Sequence, residues 1–320
     1  MRIAALAGGV GASKLLWGIY HSPEIQADPQ SFTIIVNTGD DLEMHGLNIC
    51  PDLDIVTYTL AGVVNPATGW GIDQDTFATL EYLGKYGRQI WFNLGDRDLA
   101  THIHRTDLLR HGSTLSRCAD VIRMSLGVSS RILPMSNDRV RTQIETSQGT
   151  LPFQDYLVKH RAAPKISGIR FEGADSARPA AGVIDAIEKA DAIVVCPSNP
   201  LISIGPILAV RGIRDALVKR RSRVIAVCPI VGGASLKGPS DKMMSELGLE
   251  VSATGVARLY RDVASTLVID EVDAAQRSAI EGIGLRVQIS QTIMRTAGDK
   301  ERLAEFVLGV ASKSRVAAHA

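Results

Sequence analysis

The sequence predicts an α/β protein: a Rossmann-like, doubly wound, mostly parallel sheet with a helix-rich second lobe. Three observations predict it. Short, wholly apolar runs of strand length alternate with amphipathic stretches of helix length, the pattern of strands buried on both faces. A glycine turn, Gly8-Gly9-Val10-Gly11, parts the first such strand from the first helix, the order that sets a helix N-terminus against phosphate. From about residue 41 to 166 the alternation breaks and the text becomes helical and irregular.

Ile3–Ala7 reads as the first strand and Ser13–Tyr20 as the first helix. Thr33–Val36 is the second strand, ending at Asn37. In the irregular middle, Gln89–Leu94, Arg131–Ser136 and Arg141–Glu145 have strand character, the last running into a Ser147-Gln148-Gly149 turn. Helix Ala181–Ala190 leads to strand Ala192–Cys196, and helix Gly205–Val218 to strand Val224–Cys228. Helices Asp241–Leu247 and Val256–Tyr260 precede strand Thr266–Ile269; strand Arg286–Ile289 and helix Lys300–Ala311 follow. Ser312–Ala320 reads as a frayed tail. Residues 1–40 and 167–320 are thus assigned to a nucleotide-binding core, and 41–166 to the second lobe.

At 320 residues the chain is long enough to bury a sizeable core. A net charge of +1 gives no electrostatic case for a nucleic-acid or membrane partner, and no stretch approaches a membrane span. The one dense basic run, Lys219-Arg220-Arg221-Ser222-Arg223, reads as a solvated helix end. Cys50, Cys118, Cys196 and Cys228 form no CxxC pair, which argues against zinc and disulfide frameworks and for a cytoplasmic setting.

Five segments carry chemistry. The glycine loop Gly8–Gly11 offers backbone N–H groups to phosphate, and Lys14 in the first helical turn reads alternatively as a solvated residue. Lys14 replaces the third glycine of a dinucleotide fingerprint, and Asn37 stands where an acidic ribose ligand belongs, so a nicotinamide dehydrogenase is disfavoured. Asn37-Thr38-Gly39-Asp40-Asp41 follows the second strand, at the sheet edge where ligands bind. In Cys50-Pro51-Asp52-Leu53-Asp54, an extended or turn segment would aim both carboxylates the same way, and Asp54 reads equally as the N-cap of a helix over residues 55–62.

The fourth segment, Trp91 to His102, runs from apolar rings into Gly95-Asp96-Arg97-Asp98 and suits the border of a flat, ring-bearing substrate. His102 and His104 point to different helix faces and make a poor metal pair. The fifth, Cys196-Pro197-Ser198-Asn199-Pro200 with Ser203-Ile204-Gly205-Pro206, is a second strand-to-helix anion site with Ser203 as a plausible N-cap. Adjacent carboxylates in turns suit a hard divalent cation.

In order and spacing, the glycine loop with Lys14-Leu15, the Asn37–Asp41, Pro51–Asp54 and Leu94–His102 strings, and Pro197–Pro200 with Ser203–Ile207 closely resemble the 2-phospho-L-lactate transferase (CofD) family of deazaflavin coenzyme F420 biosynthesis. The resemblance spans nearly the whole chain. It implies a cytoplasmic homodimer with a Rossmann-like core that uses Mg²⁺. It implies transfer of a phospholactyl or phosphoenolpyruvyl group from a guanosine diphosphate-linked donor to the ribityl hydroxyl of the deazaflavin FO, releasing GMP. By matched position, Asp54 and Asn93 would contact FO. Gly9, Gly11, Lys14, Ser198, Asn199, Ser203 and Ile204 would hold the nucleotide. Asp40, with Asp52 or Asp54, would anchor Mg²⁺, and Asp40 or Asp41 would serve as the base. The lobe 41–166 would then supply the FO and metal site. A nucleotide-sugar-binding regulatory protein of a related glycine-loop branch is the alternative.

Overall fold

The computed structural model describes residues 1–317, with side chains through Lys313. Seven strands form the central sheet, in the spatial order Arg286–Ser290, Thr266–Asp270, Val224–Val227, Ala192–Val195, Ile3–Ala7, Phe32–Val36, Arg131–Pro134. Every pairing in it is parallel. Alternation along the strands divides the interior in two. Ala4, Leu6, Ile193, Val195, Val224 and Ala226 face one apolar layer, while Ile3, Ala5, Val194, Ile225 and Val227 face the other. Both faces are buried, which is why these runs are apolar throughout rather than alternating.

The first layer is closed by helices Val183–Lys189, Ile213–Lys219 and Ala253–Tyr260, through Ile187, Leu217 and Val256. The second is closed by Gly9–Tyr20, Pro51–Leu60 and Ala297–Ala317, through Leu15, Leu53 and Val307. Each such fully buried aliphatic side chain contributes about 1.5–3 kcal/mol by leaving water.

Strands Ile3–Ala7 and Ala192–Val195 lie side by side, and from them the chain winds outward in opposite directions. The crevice at their carboxyl ends is the switch point where ligands bind in open α/β sheets. Three smaller antiparallel sheets complete the fold: the hairpin Leu42–Met44 with Leu47–Ile49 and the pair Ile230–Val231 with Ala234–Ser235, which reach the crevice through Ile49 and Val231, and a trio of Gly149–Pro152, Arg141–Thr146 and Ile166–Glu172.

Several elements differ from the sequence reading. The segment 41–166 does not stand apart from the core, because its strand Arg131–Pro134 pairs with Phe32–Val36 and forms one edge of the main sheet. Gln89–Leu94 forms no strand; its side chains are largely exposed or half-exposed and find no ladder partner. The helix expected over Gly205–Val218 is two helices, Gly205–Ala209 and Ile213–Lys219, parted where Gly212 takes a φ of 87°. The last helix runs to Ala317, through most of the expected frayed tail; residues 318–320 lie outside the described residues. Cys196 and Cys228 are buried in the core as expected, and burial pushes both thiols up. Among the described residues no helix is long and apolar enough to cross a membrane.

Candidate active site

The carboxyl ends of the two central strands open into a cleft of about 770 Å³. On its floor, Ala7 passes into Gly8 and the helix Gly9–Tyr20, while Val195 passes into Cys196-Pro197-Ser198. The two turns are pressed together. A Cβ on Gly11 would lie 2.4 Å from the Pro197 carbonyl oxygen, and one on Gly8 would lie 2.6 Å from Asp52 Oδ2. Only glycine fits there, and Gly8 N–H donates to Ser198 Oγ across the join at 3.4 Å. Gly9 N–H donates to Asp52 Oδ1 at 2.9 Å.

Asn37 is the keystone of the acidic part. It ends the second strand, fully buried, and its Nδ2 donates to Asp40 Oδ2 at 3.0 Å and to Asp52 Oδ2 at 2.9 Å. Its Oδ1 accepts Gly39 N–H at 2.8 Å, which fixes the turn that presents Asp40. Asp40 Oδ1 is buried without a partner. Burial, then the charge of Asp52, holds the Asp40 carboxyl well above the usual carboxylate range. Burial raises Asp52 to about 6, although Asn37 and Gly9 N–H pull it down. Two buried carboxylates sharing one amide donor repel each other, and an oxygen-seeking cation would relieve that.

Asp54 belongs to a second cluster. Helix Pro51–Leu60 begins at Pro51, with Asp52 and Asp54 in its first turn, so Asp54 is not an N-cap. Two residues apart on a helix, the carboxylates diverge instead of aiming the same way. Asp54 Oδ1 pairs with the fully buried guanidinium of Arg105. Arg105 Nη1 also donates to Asn48 O at 3.2 Å and lies 3.2 Å from His102 Nδ1. Asp98, one turn before His102 on helix Asp96–Arg110, accepts the Tyr58 hydroxyl at 2.8 Å. Burial raises the Asp54 carboxyl despite Arg105; burial acts on Asp98 too, but the His102 contact and Tyr58 hold it below its ordinary value.

The cleft wall includes Gly9, Gly11, Lys14, Asp40, Asp52, Asp54, Asn93, Ser198, Asn199 and Ser203 from the sequence expectations. Two expected residues do not line it. Asp41 lies behind the wall against Cys50, where burial raises its carboxyl to about 7 in spite of the nearby Arg141 charge. Ile204 is fully buried in the core. Asn199, not Ser203, caps the helical turn Pro200–Ile204, accepting Leu201 N–H at 2.9 Å. Lys14 is half-buried in the cleft wall; its Nζ donates to Met294 O at 2.8 Å, and burial, then the charges of Lys237 and Lys300, lower its pKa.

Asp96 starts its helix and accepts Ala78 N–H and Thr79 N–H at 3.0 and 2.9 Å, and Arg97 reaches Asp73 O, so this loop is structural except at Asp98. Sequence reasoning placed Phe92 at the border of a flat substrate, where the cleft wall has it, but missed Arg105, Tyr58, Trp70 and Lys237. The Asp98–His102 spacing of four was the one available signal. The rest come from segments without any motif.

A family model described as 2-phospho-L-lactate transferase CofD matches residues 3–297. The chain is 40% identical over 305 residues to a 2-phospho-L-lactate transferase of Methanosarcina acetivorans, covering 95% of this chain and 97% of that one. It is 41% identical over 322 residues to a phosphoenolpyruvate transferase of Streptomyces griseus, covering 98% and 100%. Its fold is similar to the crystal structure of a UPF0052-family protein from Bacillus halodurans, with a TM-score of 0.61, 17% identity and coverage of 96% and 98%. With a family match from residue 3 to 297 and relatives of this identity along nearly its full length, the chain belongs to the 2-phospho-L-lactate transferase family.

Proposed function

We propose that the protein transfers a phospholactyl or phosphoenolpyruvyl group from a guanosine diphosphate-linked donor to the ribityl hydroxyl of FO, releasing GMP. The observation that carries this reading is the joining of a glycine-loop phosphate cradle to two separate carboxylate clusters in one cleft. A transferase that binds two substrates needs that division. On the nucleotide side, Gly9 and Gly11 bring backbone close to the diphosphate, and Lys14 and Lys237 supply positive charge. On the acceptor side, Phe92, Trp70 and Tyr58 form aromatic surface for a flat ring, with Asn93 beside them.

Mg²⁺ fits Asp40 and Asp52, given the partnerless Asp40 Oδ1 and the shared Asn37 donor. Asp54 fits it less well, because Arg105 already neutralises that carboxylate. Bound there, the cation would neutralise charge on the transferring phosphoryl group. The chain's own residues do the rest. The acceptor oxygen forms a bond to the phosphorus that carries the lactate or enolpyruvate through its C2 oxygen, and the bond from that phosphorus to the GMP oxygen breaks, its electron pair leaving with GMP. The hydroxyl proton passes to a cleft carboxylate, for which we assign Asp54, whose Oδ2 has no partner. Asp41 is too far behind the wall for that role. Phosphoryl transfer asks mainly for such positioning and charge neutralisation.

The test is turnover by purified protein with FO, Mg²⁺ and either guanosine donor. The expected result is GMP and a phosphodiester-linked deazaflavin in equal amounts. Absence of both products with both donors refutes the reading.

A further inference from the structure

The Asp54 cluster contains more than the acceptor contact that the family resemblance implies. One ligand atom from each of Asp54, Asp98 and His102 lies within 4.8 Å of the others. Two of the three side chains end in buried atoms without a hydrogen-bond partner, Asp54 Oδ2 and His102 Nε2, and those residues are 5% and 1% exposed. All three line the cleft, as does Tyr58. Buried polar atoms left open in this way are costly unless a ligand or water completes them.

The donor and acceptor pattern is fixed by Arg105. A guanidinium only donates, so His102 Nδ1, 3.2 Å from Arg105 Nη1, must accept, and the ring hydrogen sits on Nε2. Nε2 lies 3.3 Å from Asp98 Oδ2, and Nδ1 lies 3.6 Å from Asp54 Oδ2, so the ring stands between the two carboxylates. Arg105 Nη2 takes Asp54 Oδ1 and leaves Oδ2 open. Asp98 Oδ1 is engaged by Tyr58, so its other oxygen faces the same gap. The gap therefore offers one N–H donor between two carboxylate acceptors. A hydroxyl both accepts and donates, and two neighbouring hydroxyls match this set. A dication matches it poorly, because the buried Arg105 charge already sits against Asp54 and His102.

We propose that Asp54, Asp98 and His102 form a polyol subsite that takes neighbouring hydroxyls of the acceptor's side chain, with Arg105 as its positioning residue. This rests on the reading that FO is the acceptor. It assigns recognition to the hydroxylated chain at this end of the cleft and to the ring at the aromatic wall. The subsite would hold the attacking chain in one conformation before transfer.

Fluorescence titration with FO, and with an analogue bearing an unsubstituted alkyl chain on the same ring nitrogen, tests it. The readout is the ratio of the two Kd values. Wild type is expected to prefer FO by about tenfold to a hundredfold, the loss typical of unpaired groups bonded to charge. His102→Leu, Asp98→Asn and Arg105→Met should each cut that ratio about tenfold or more while leaving the alkyl analogue's Kd unchanged; Arg105→Lys should restore part of it. An unchanged analogue Kd shows that the variants are folded at the ring site, since a merely structural defect would weaken both ligands alike. An unchanged ratio in all variants, or a wild-type ratio near one, overturns the proposal. So does a shift in Mg²⁺ dependence at an unchanged ratio, which would make the cluster a metal centre. Wild-type turnover with such a ratio leaves the transferase reading standing and removes only the subsite; wild type that binds neither ligand overturns both.

Discussion

Replacing Asn37 by Leu removes the amide between Asp40 and Asp52 while nearly conserving volume. Three short hydrogen bonds go, those to Asp40 at 3.0 Å and Asp52 at 2.9 Å and the one from Gly39 N–H at 2.8 Å, together with a long one to Ile202 O at 3.4 Å. A bond to an ionised acceptor is worth about 1.5–3 kcal/mol net and a neutral one about 1, so the loss is about 4–7 kcal/mol when both carboxylates are charged. That is a large part of the 5–15 kcal/mol, roughly, that holds an ordinary domain together. The sign with pH follows from the raised carboxyls. A carboxylate raised in the folded state contributes stability that is fully present below its unfolded pKa near 4 and is lost as pH rises through the folded value, about 6 for Asp52 and well above the ordinary carboxylate range for Asp40. At pH 5 both are largely protonated and the three bonds are neutral, so the variant should lose only about 2–3 kcal/mol there. Urea unfolding in chelator at pH 5 and pH 8 measures both. Equal losses at the two pH values, or a loss under about 1 kcal/mol at pH 8, would refute the keystone role.

Three further outcomes follow from the same geometry. Asp41→Asn should flatten the decline in wild-type stability between pH 4 and 8, because Asp41 is raised to about 7 and its ionisation opposes folding above that point; melting temperature across pH checks it. Gly11→Ala forces its Cβ to 2.4 Å from the Pro197 carbonyl and should destabilise the chain by about 1–3 kcal/mol, read by urea unfolding. Lys14→Met should weaken GDP binding about tenfold, with a shallower salt dependence, in a calorimetric titration. An unchanged GDP affinity would move the diphosphate away from Lys14.

The sheet was legible because its strands are buried on both faces. Runs such as Ala-Ile-Val-Val at 192–195 carry no polar residue that could point elsewhere. Strand Arg131–Pro134 was read as a strand but not as part of that sheet, since four residues after a long helical segment carry no label for their partner, and pairing with Phe32–Val36 is set about a hundred residues away. The glycine loop and Asp40 were legible because turn chemistry is local. The divergence of Asp52 and Asp54 was not, because it depends on the helix starting at Pro51 rather than at 55. Arg105 was invisible for a simpler reason. Its partner Asp54 is 51 residues upstream, and a lone arginine in a polar helix looks like any solvated one until burial is known.

The proposed division of one cleft between two substrates, each on its own carboxylate cluster, is open to direct sight in a crystal of the protein soaked with GDP, Mg²⁺ and FO. The expected density shows the diphosphate on Gly9 and Gly11 with the cation at Asp40 and Asp52, and the ribityl chain against Asp54, Asp98 and His102. Density that puts the cation on Asp54 and Asp98, or the deazaflavin outside the Phe92 and Tyr58 wall, would contradict it.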